Sequence, residues 1–249
     1  MFKNKLLSIT VDIKNRQEIF KRVEKNINQE KKFLHIVSLN PEILVIAQKN
    51  DEFKKVLSQS DIQLCDGIGT YLACKFLNIP CGERIAGVDL MEQLLHNFNE
   101  RSLCVVLIGG RGELATSLAN CYNEKYSRSK FIGLEGYNDV NDPTEVEEKH
   151  VLDVISEYKP DIIFAAFGAP AQELWFDRHR AQMCHSVCMS VGGGFDFLGG
   201  TVARAPSFIR TFGLEWLYRL FTQPWRAKRQ VRLIQFVYLV LQQKLQNIV

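Results

Sequence analysis

The 249-residue chain contains no strict D-x-D, no C-x-x-C pair and no apolar stretch long enough for a bilayer span. Its longest late apolar run, residues 233–241, is broken by Gln235 and reaches about half of the roughly 20 residues that a spanning helix needs, which excludes one. The opening residues MFKNKLLSITVDIKNRQEIF return to charge within a few positions, so no h-region of a secretory signal can be placed and the chain is expected to stay in the cytosol. Seven cysteines is an odd number. Without C-x-x-C spacing they encode neither a disulfide framework nor a zinc ribbon and read as reduced, mostly core thiols. His35, His96, His150, His179 and His185 show no ligand spacing. The missing D-x-D removes the usual carboxylate pair for a divalent metal on a nucleotide-sugar, so no metal and no cofactor are expected and arginines are the natural replacement. Internal repeats and low-complexity segments are also lacking.

What is present is ordinary globular composition, 46% hydrophobic and 24% charged, with an uneven distribution of charge. Residues 201–249 hold eight cations against the single anion Glu215, a net of +7, which leaves −4 for the first 200 residues. Such a tail faces something anionic: a membrane surface, a nucleic acid or a phosphorylated substrate.

Short aliphatic runs recur at 33–38, 62–65, 103–108, 130–135, 161–167 and 186–191. Helical patterns separate them near 41–58, 67–77, 88–99, 113–126, 143–157 and 170–181. Continuous apolar strands alternating with helices predict a Rossmann-like α/β fold, a parallel sheet with helices on both faces. Strand signals cease after Gly200. Two cationic helices, about 207–222 and 226–246 with Pro224 between them, are expected to form an appendage, giving a core of 1–200 and a helical segment of 201–249.

In such a sheet the ligand crevice lies beyond the carboxyl ends of the strands, where Ser38 to Glu42, Asp66 and Gly67, Gly109 to Gly112, and Gly192 to Asp196 fall. Gly110-Arg-Gly112-Glu-Leu-Ala115 fits a dinucleotide fingerprint, and Glu135 stands near the expected ribose position. A glycine turn at a helix start accepts a pyrophosphate whatever it carries, so Gly109 and Gly110 are candidates for a nucleotide-sugar as much as for NAD(P). An NAD(P)-dependent oxidoreductase therefore stays open here, as does a non-catalytic membrane-associated scaffold whose glycine loops are only turns. By spacing alone Asp66, Ser38 and Asn40 read first as helix caps.

The segments S-L-N-P-E-I (38–43), C-D-G (65–67), E-R-I-A-G-V-D-L (83–90), L-I-G-G (107–110), G-A-P-A-Q-E (168–173), V-G-G-G-F-D (191–196), R-A-P (204–206) and G-L-E-W-L-Y-R-L (213–220) follow in order. Together they resemble the WecG/TagA/CpsF glycosyltransferases, glycosyltransferase family 26, the N-acetylmannosaminyl and N-acetylmannosaminuronyl transferases. The resemblance covers about residues 33–235. Ser38, Ala171 and Gly194 depart from the family's usual Thr, Lys, and Ala or Thr.

The resemblance implies an inverting transfer of a hexose-type sugar (ManNAc, ManNAcA or a related hexose) from a UDP-sugar to a saccharide on undecaprenyl diphosphate in bacterial surface polysaccharide synthesis. Asp66 matches the family's base, and Arg219, Arg226 and Arg229 match the arginines assigned to the departing diphosphate. Ser38, Asn40, Arg84 and Gln172 match its polar pocket, with Tyr137 and Asp196 as further choices for the uridine. Aromatic residues interleaved with arginines in the tail favour an anionic inner-membrane surface, on the cytoplasmic face, as partner; nucleic acid is not expected, and a homo-oligomer is left open.

Overall fold

The computed structural model describes residues 4–98, 100–223 and 227–247, with side chains in the last segment from residue 231 onward. A short hairpin, β1 (Lys5–Leu6) and β2 (Ile9–Thr10), precedes helix α1 (Arg16–Lys25). The main sheet contains β3 (Leu34–Leu39), β4 (Ile62–Cys65), β5 (Cys104–Gly109), β6 (Lys130–Leu134), β7 (Ile162–Ala166) and β8 (Val187–Ser190), all parallel, in spatial order β4-β3-β8-β7-β5-β6. The connecting helices are α2 (Pro41–Ala47), α3 (Asp51–Gln59), α4 (Ile68–Phe76), α5 (Gly87–Asn97), α6 (Leu114–Lys125), α7 (Glu145–Tyr158), α8 (Ala171–Arg178) and α9 (Gly194–Leu198). After them come α10 (Ser207–Thr211), α11 (Glu215–Thr222) and α12 (Ala227–Gln246).

The six apolar runs are the six strands because successive side chains go to opposite faces and both faces are covered. On one face Leu34, Ile36, Leu64, Val105, Phe164 and Met189 pack against α1, α5 and α6. On the other, Val37 and Leu39 meet α2, α3 and the hairpin, while Val106, Ile163 and Cys188 meet α7 and α8. The helix expected over 41–58 is broken: Asn50 stops it and caps α3, its side-chain oxygen accepting from Phe53 N at 2.9 Å. The helix expected over 207–222 divides at Gly213, whose φ of +73° ends α10 and turns the chain into α11.

Residue 200 marks the end of the strands, yet the tail is not one detached unit. Helix α12 returns to the sheet: Phe236 and Val240 are buried in the cluster that contains Val37 and Leu39. Gln243 donates to Lys5 O at 2.7 Å and accepts from Leu7 N at 2.8 Å, tying α12 to the N-terminal hairpin. Among the described residues no helix is long and apolar enough to cross a membrane.

This packing makes removal of residues 201–249 an uncovering of the core rather than the trimming of an appendage. Phe236→Ala is expected to cost about 3–5 kcal/mol in urea unfolding, the usual penalty for truncating a buried Phe. Ile234→Ala, on the 73% exposed side of the same helix, should stay within about 0.5 kcal/mol. Equal, small effects would show that α12 contributes nothing to the core.

Candidate active site

The carboxyl ends of β3, β4, β7 and β8 open into a cavity of about 500 Å³, roofed by α11 and flanked by α2 and α12. Ser38 ends β3, Ser190 ends β8, and Asp66 follows β4, held there by its backbone N–H to Leu39 O at 3.1 Å. Arg84 reaches this floor because its segment runs parallel to β4, with Ile85 N donating to Cys65 O at 2.9 Å.

The Asp66 carboxyl is pushed up to about 6, first by burial and then by the negative charges of Glu215 and Asp89. The Gly87 N–H, at the start of α5, and the Arg84 guanidinium act in the opposite direction. Glu215 is the first residue of α11 and lines the same cavity. Arg204 stands between the two perturbing acids, 2.6 Å from Asp89 Oδ1 and 3.7 Å from Glu215 Oε1, and Arg210 approaches Asp89 at 3.7 Å. Arg84 donates to Arg210 O at 2.8 Å, so the tail is stitched to the floor beside Asp66 rather than Arg84 pairing with its neighbour Glu83. Arg219 lines the cavity with its guanidinium 4.4 Å from the centre of the Phe197 ring.

Ser38, Asn40, Asp66, Arg84, Gln172 and Arg219 are thus brought to one cavity, where Asn40 and Gln172 also hold local structure. Asn40 caps α2, its side-chain oxygen accepting from Ile43 N at 3.0 Å with Pro41 as the first helical residue. The Gln172 amide oxygen accepts from both Gly168 N and Gly192 N at 3.1 Å, and its nitrogen donates to Glu173 Oε1 at 2.8 Å. It clamps the loops after β7 and β8. Glu173 is wholly buried below it, and burial pushes its carboxyl up to about 7.

Four expected contacts lie elsewhere. Gly109 ends β5 and Gly110 follows it, both outside the cavity lining; a Cβ on Gly109 would meet the Phe167 ring at 2.7 Å and one on Gly110 the Phe195 ring at 3.3 Å, so packing accounts for these glycines without a ligand. Gly110 and Gly112 are exposed, and Glu135, also exposed, follows the edge strand β6 outside the cavity lining. Tyr137 is drawn away because its hydroxyl accepts from Trp175 Nε1 at 2.9 Å in the cluster under α8. Asp196, within α9, is itself outside the lining but borders it, its carboxylate lying beside Gly193 and its backbone carbonyl accepting from Thr201 Oγ1 at 3.0 Å. Arg226 and the Arg229 side chain lie outside the described residues. Glu215, Glu173 and Ser190 were not singled out from sequence. Glu215 was visible as the lone tail anion and Glu173 within G-A-P-A-Q-E, but nothing local placed either at the floor.

A carboxyl of raised proton affinity in a cavity that guanidinium groups also line is an arrangement suited to group transfer. The chain belongs to the glycosyl transferase WecG/TagA/CpsF family, whose sequence profile matches residues 4–248. It is 37% identical over 210 residues to the N-acetylglucosaminyldiphosphoundecaprenol N-acetyl-beta-D-mannosaminyltransferase of Bacillus spizizenii, covering 83% of this chain and 78% of that one. Proteins of the same name are 33% identical in Bacillus subtilis, over 89% of this chain and 84% of the relative, and 31% identical in Staphylococcus aureus, over 87% and 83%.

The electrostatics of the floor are directly measurable. In carbon-detected NMR the Asp66 carboxyl is expected to titrate near pH 6, and Glu215→Gln should move that midpoint downward by removing a facing negative charge. A wild-type midpoint near the ordinary 3.8 would contradict the burial on which the site is built.

Proposed function

We propose that this glycosyltransferase moves a hexose-type residue, ManNAc, ManNAcA or a close relative, from a UDP-sugar to a saccharide carried on undecaprenyl diphosphate, with inversion. The acceptor class rests on the relatives' names. The observation that carries the reading is the Asp66 carboxyl in a cavity lined also by Arg84 and Arg219. In this mechanism Asp66 accepts the proton of the acceptor hydroxyl as its oxygen bonds to the anomeric carbon. The bond from that carbon to the UDP oxygen breaks on the opposite face. Arg219, with Arg226 and Arg229 from the tail, takes the charge that gathers on the departing diphosphate, and their permanent protonation makes a metal unnecessary.

A carboxylate near 6 is a better base than one near 3.8 and is still ionised at neutral pH, so burial serves the reaction. The active form is the deprotonated one. The kcat/KM of the free enzyme should therefore rise with pH through about 6 and level off above it. Asp66→Asn is expected to bind UDP normally by calorimetry and to lose about 10²- to 10⁴-fold in turnover, while EDTA leaves the wild-type rate unchanged. Asp66 does not cap α4, whose N-cap is Gly67 without a side-chain bond, so near-normal turnover in Asp66→Asn would leave it no role beyond the local charge balance.

The same reading puts the protein on the cytoplasmic face of the membrane that holds its acceptor. Phe208, Phe212 and Phe221 are 64%, 71% and 76% exposed in the same 201–249 segment that carries the +7 charge, a combination suited to an anionic interface. Binding to anionic vesicles should weaken steeply between low and high salt, since juxtamembrane cations gain about 1 kcal/mol each near such a surface. Binding indifferent to both salt and lipid charge would remove the membrane role.

A further inference from the structure

The cavity divides by the elements that line it. Strand ends and loops supply Ser38, Asp66, Arg84, Ser190 and the backbone of Gly192 and Gly193. Helices α2, α11 and α12 supply Pro41, Ile43, Ile46, Trp216, Leu220 and Leu233. Of the charged side chains on the helical side, Glu42 pairs with Arg232 and Glu215 with Arg204, while Arg219, over the Phe197 ring, is the one given above to the diphosphate.

A nucleotide-sugar and a disaccharide product carry hydroxyls, amides and anionic oxygens over most of their surface and gain little from aliphatic side chains. A uracil ring needs partners for two carbonyls and an imide N–H, and Ile46, Leu220 and Leu233 offer none. The wall also leads outward, since Ile234, next to Leu233, is 73% exposed, and Val237 and Leu241, one and two turns on, are 51% and 49% exposed. Leu233, Val237 and Leu241, spaced i, i+4, i+8 along α12 from the cavity outward, match a hydrocarbon chain joined to a polar head.

We infer that the wall formed by α2, α11 and α12 binds the first isoprene units of the acceptor, so that the enzyme reads the lipid as well as the sugar. This rests on the acceptor class proposed above. The lipid segment would then place the diphosphate and its sugar at a fixed distance from Asp66, a positioning effect beyond mere membrane tethering.

The test uses the full chain, a UDP-sugar donor and soluble acceptors in which GlcNAc-diphosphate carries a methyl group or one, two or three isoprene units. Acceptors are kept below micelle-forming concentration, without detergent or vesicles. KM is expected to fall about tenfold between the methyl and two-unit acceptors with kcat little changed, then to level off. Ile46→Ser and Leu233→Ser should flatten the series while UDP affinity, read by calorimetry, stays at the wild-type value. A flat series in the wild-type enzyme overturns the inference and needs no variant to fold. A loss of UDP affinity in both variants also overturns it, by giving the wall to the donor. Absence of transfer to every acceptor would instead bring down the transferase reading itself, and the inference with it.

Discussion

A parallel sheet buried on both faces leaves its chain no cheap way to stop, because every strand needs cover above and below. Here that constraint decides where the tail goes. Helix α9 follows β8 and lies on the face of α5 and α6, where Phe195 joins the buried cluster. Helix α12 belongs to the opposite face, where Phe236 and Val240 complete the cover over β3 with α2, α3 and the hairpin. The connection between them has to cross an edge of the sheet, and it starts at the carboxyl edge. Helices α10 and α11 are that crossing, which is why α11 roofs the cavity.

The crossing brings charge with it. Asp66, Asp89 and Glu215 would make an unstable cluster of three carboxylates, and Arg84, Arg204 and Arg210 supply the matching cations. Partial compensation is the useful state: full pairing of Asp66 would hold its proton affinity down, whereas burial with two facing acids holds it up. Since Glu215 comes from the tail and Asp89 from the core, the basicity of Asp66 depends on the seating of α11.

Much of this was legible in the sequence where the cause is local. Each strand is a continuous apolar run because both its faces are buried, and Ser38 and Asp66 follow from the rule that parallel sheets bind ligands beyond their carboxyl ends. The failures share a non-local cause. Gly109 and Gly110 look like a phosphate cradle, yet Phe167 and Phe195, distant in sequence, pack against them closely enough to account for both glycines without a ligand. Tyr137 is claimed by Trp175, and Gln172 is spent on two backbone N–H groups, outcomes fixed by the juxtaposition of β7, β8 and α8 rather than by spacing. Composition located the tail's charge, but the return of α12 to the core is set by Phe236 and Val240, which read equally well as membrane-facing residues.

That ambiguity has a structural resolution with consequences for the site. Leu233, Phe236 and Val240 follow one another at the i, i+3, i+7 spacing of a single helix face, and Val237 and Leu241 adjoin it, so α12 carries one broad apolar stripe. Its inner part is buried in the core, Leu233 reaches the cavity, and Ile234, Val237 and Leu241 form its exposed edge. One element therefore joins the cover of the sheet to the wall of the site, so that a change in the packing of Phe236 or Val240 bears on the position of Leu233.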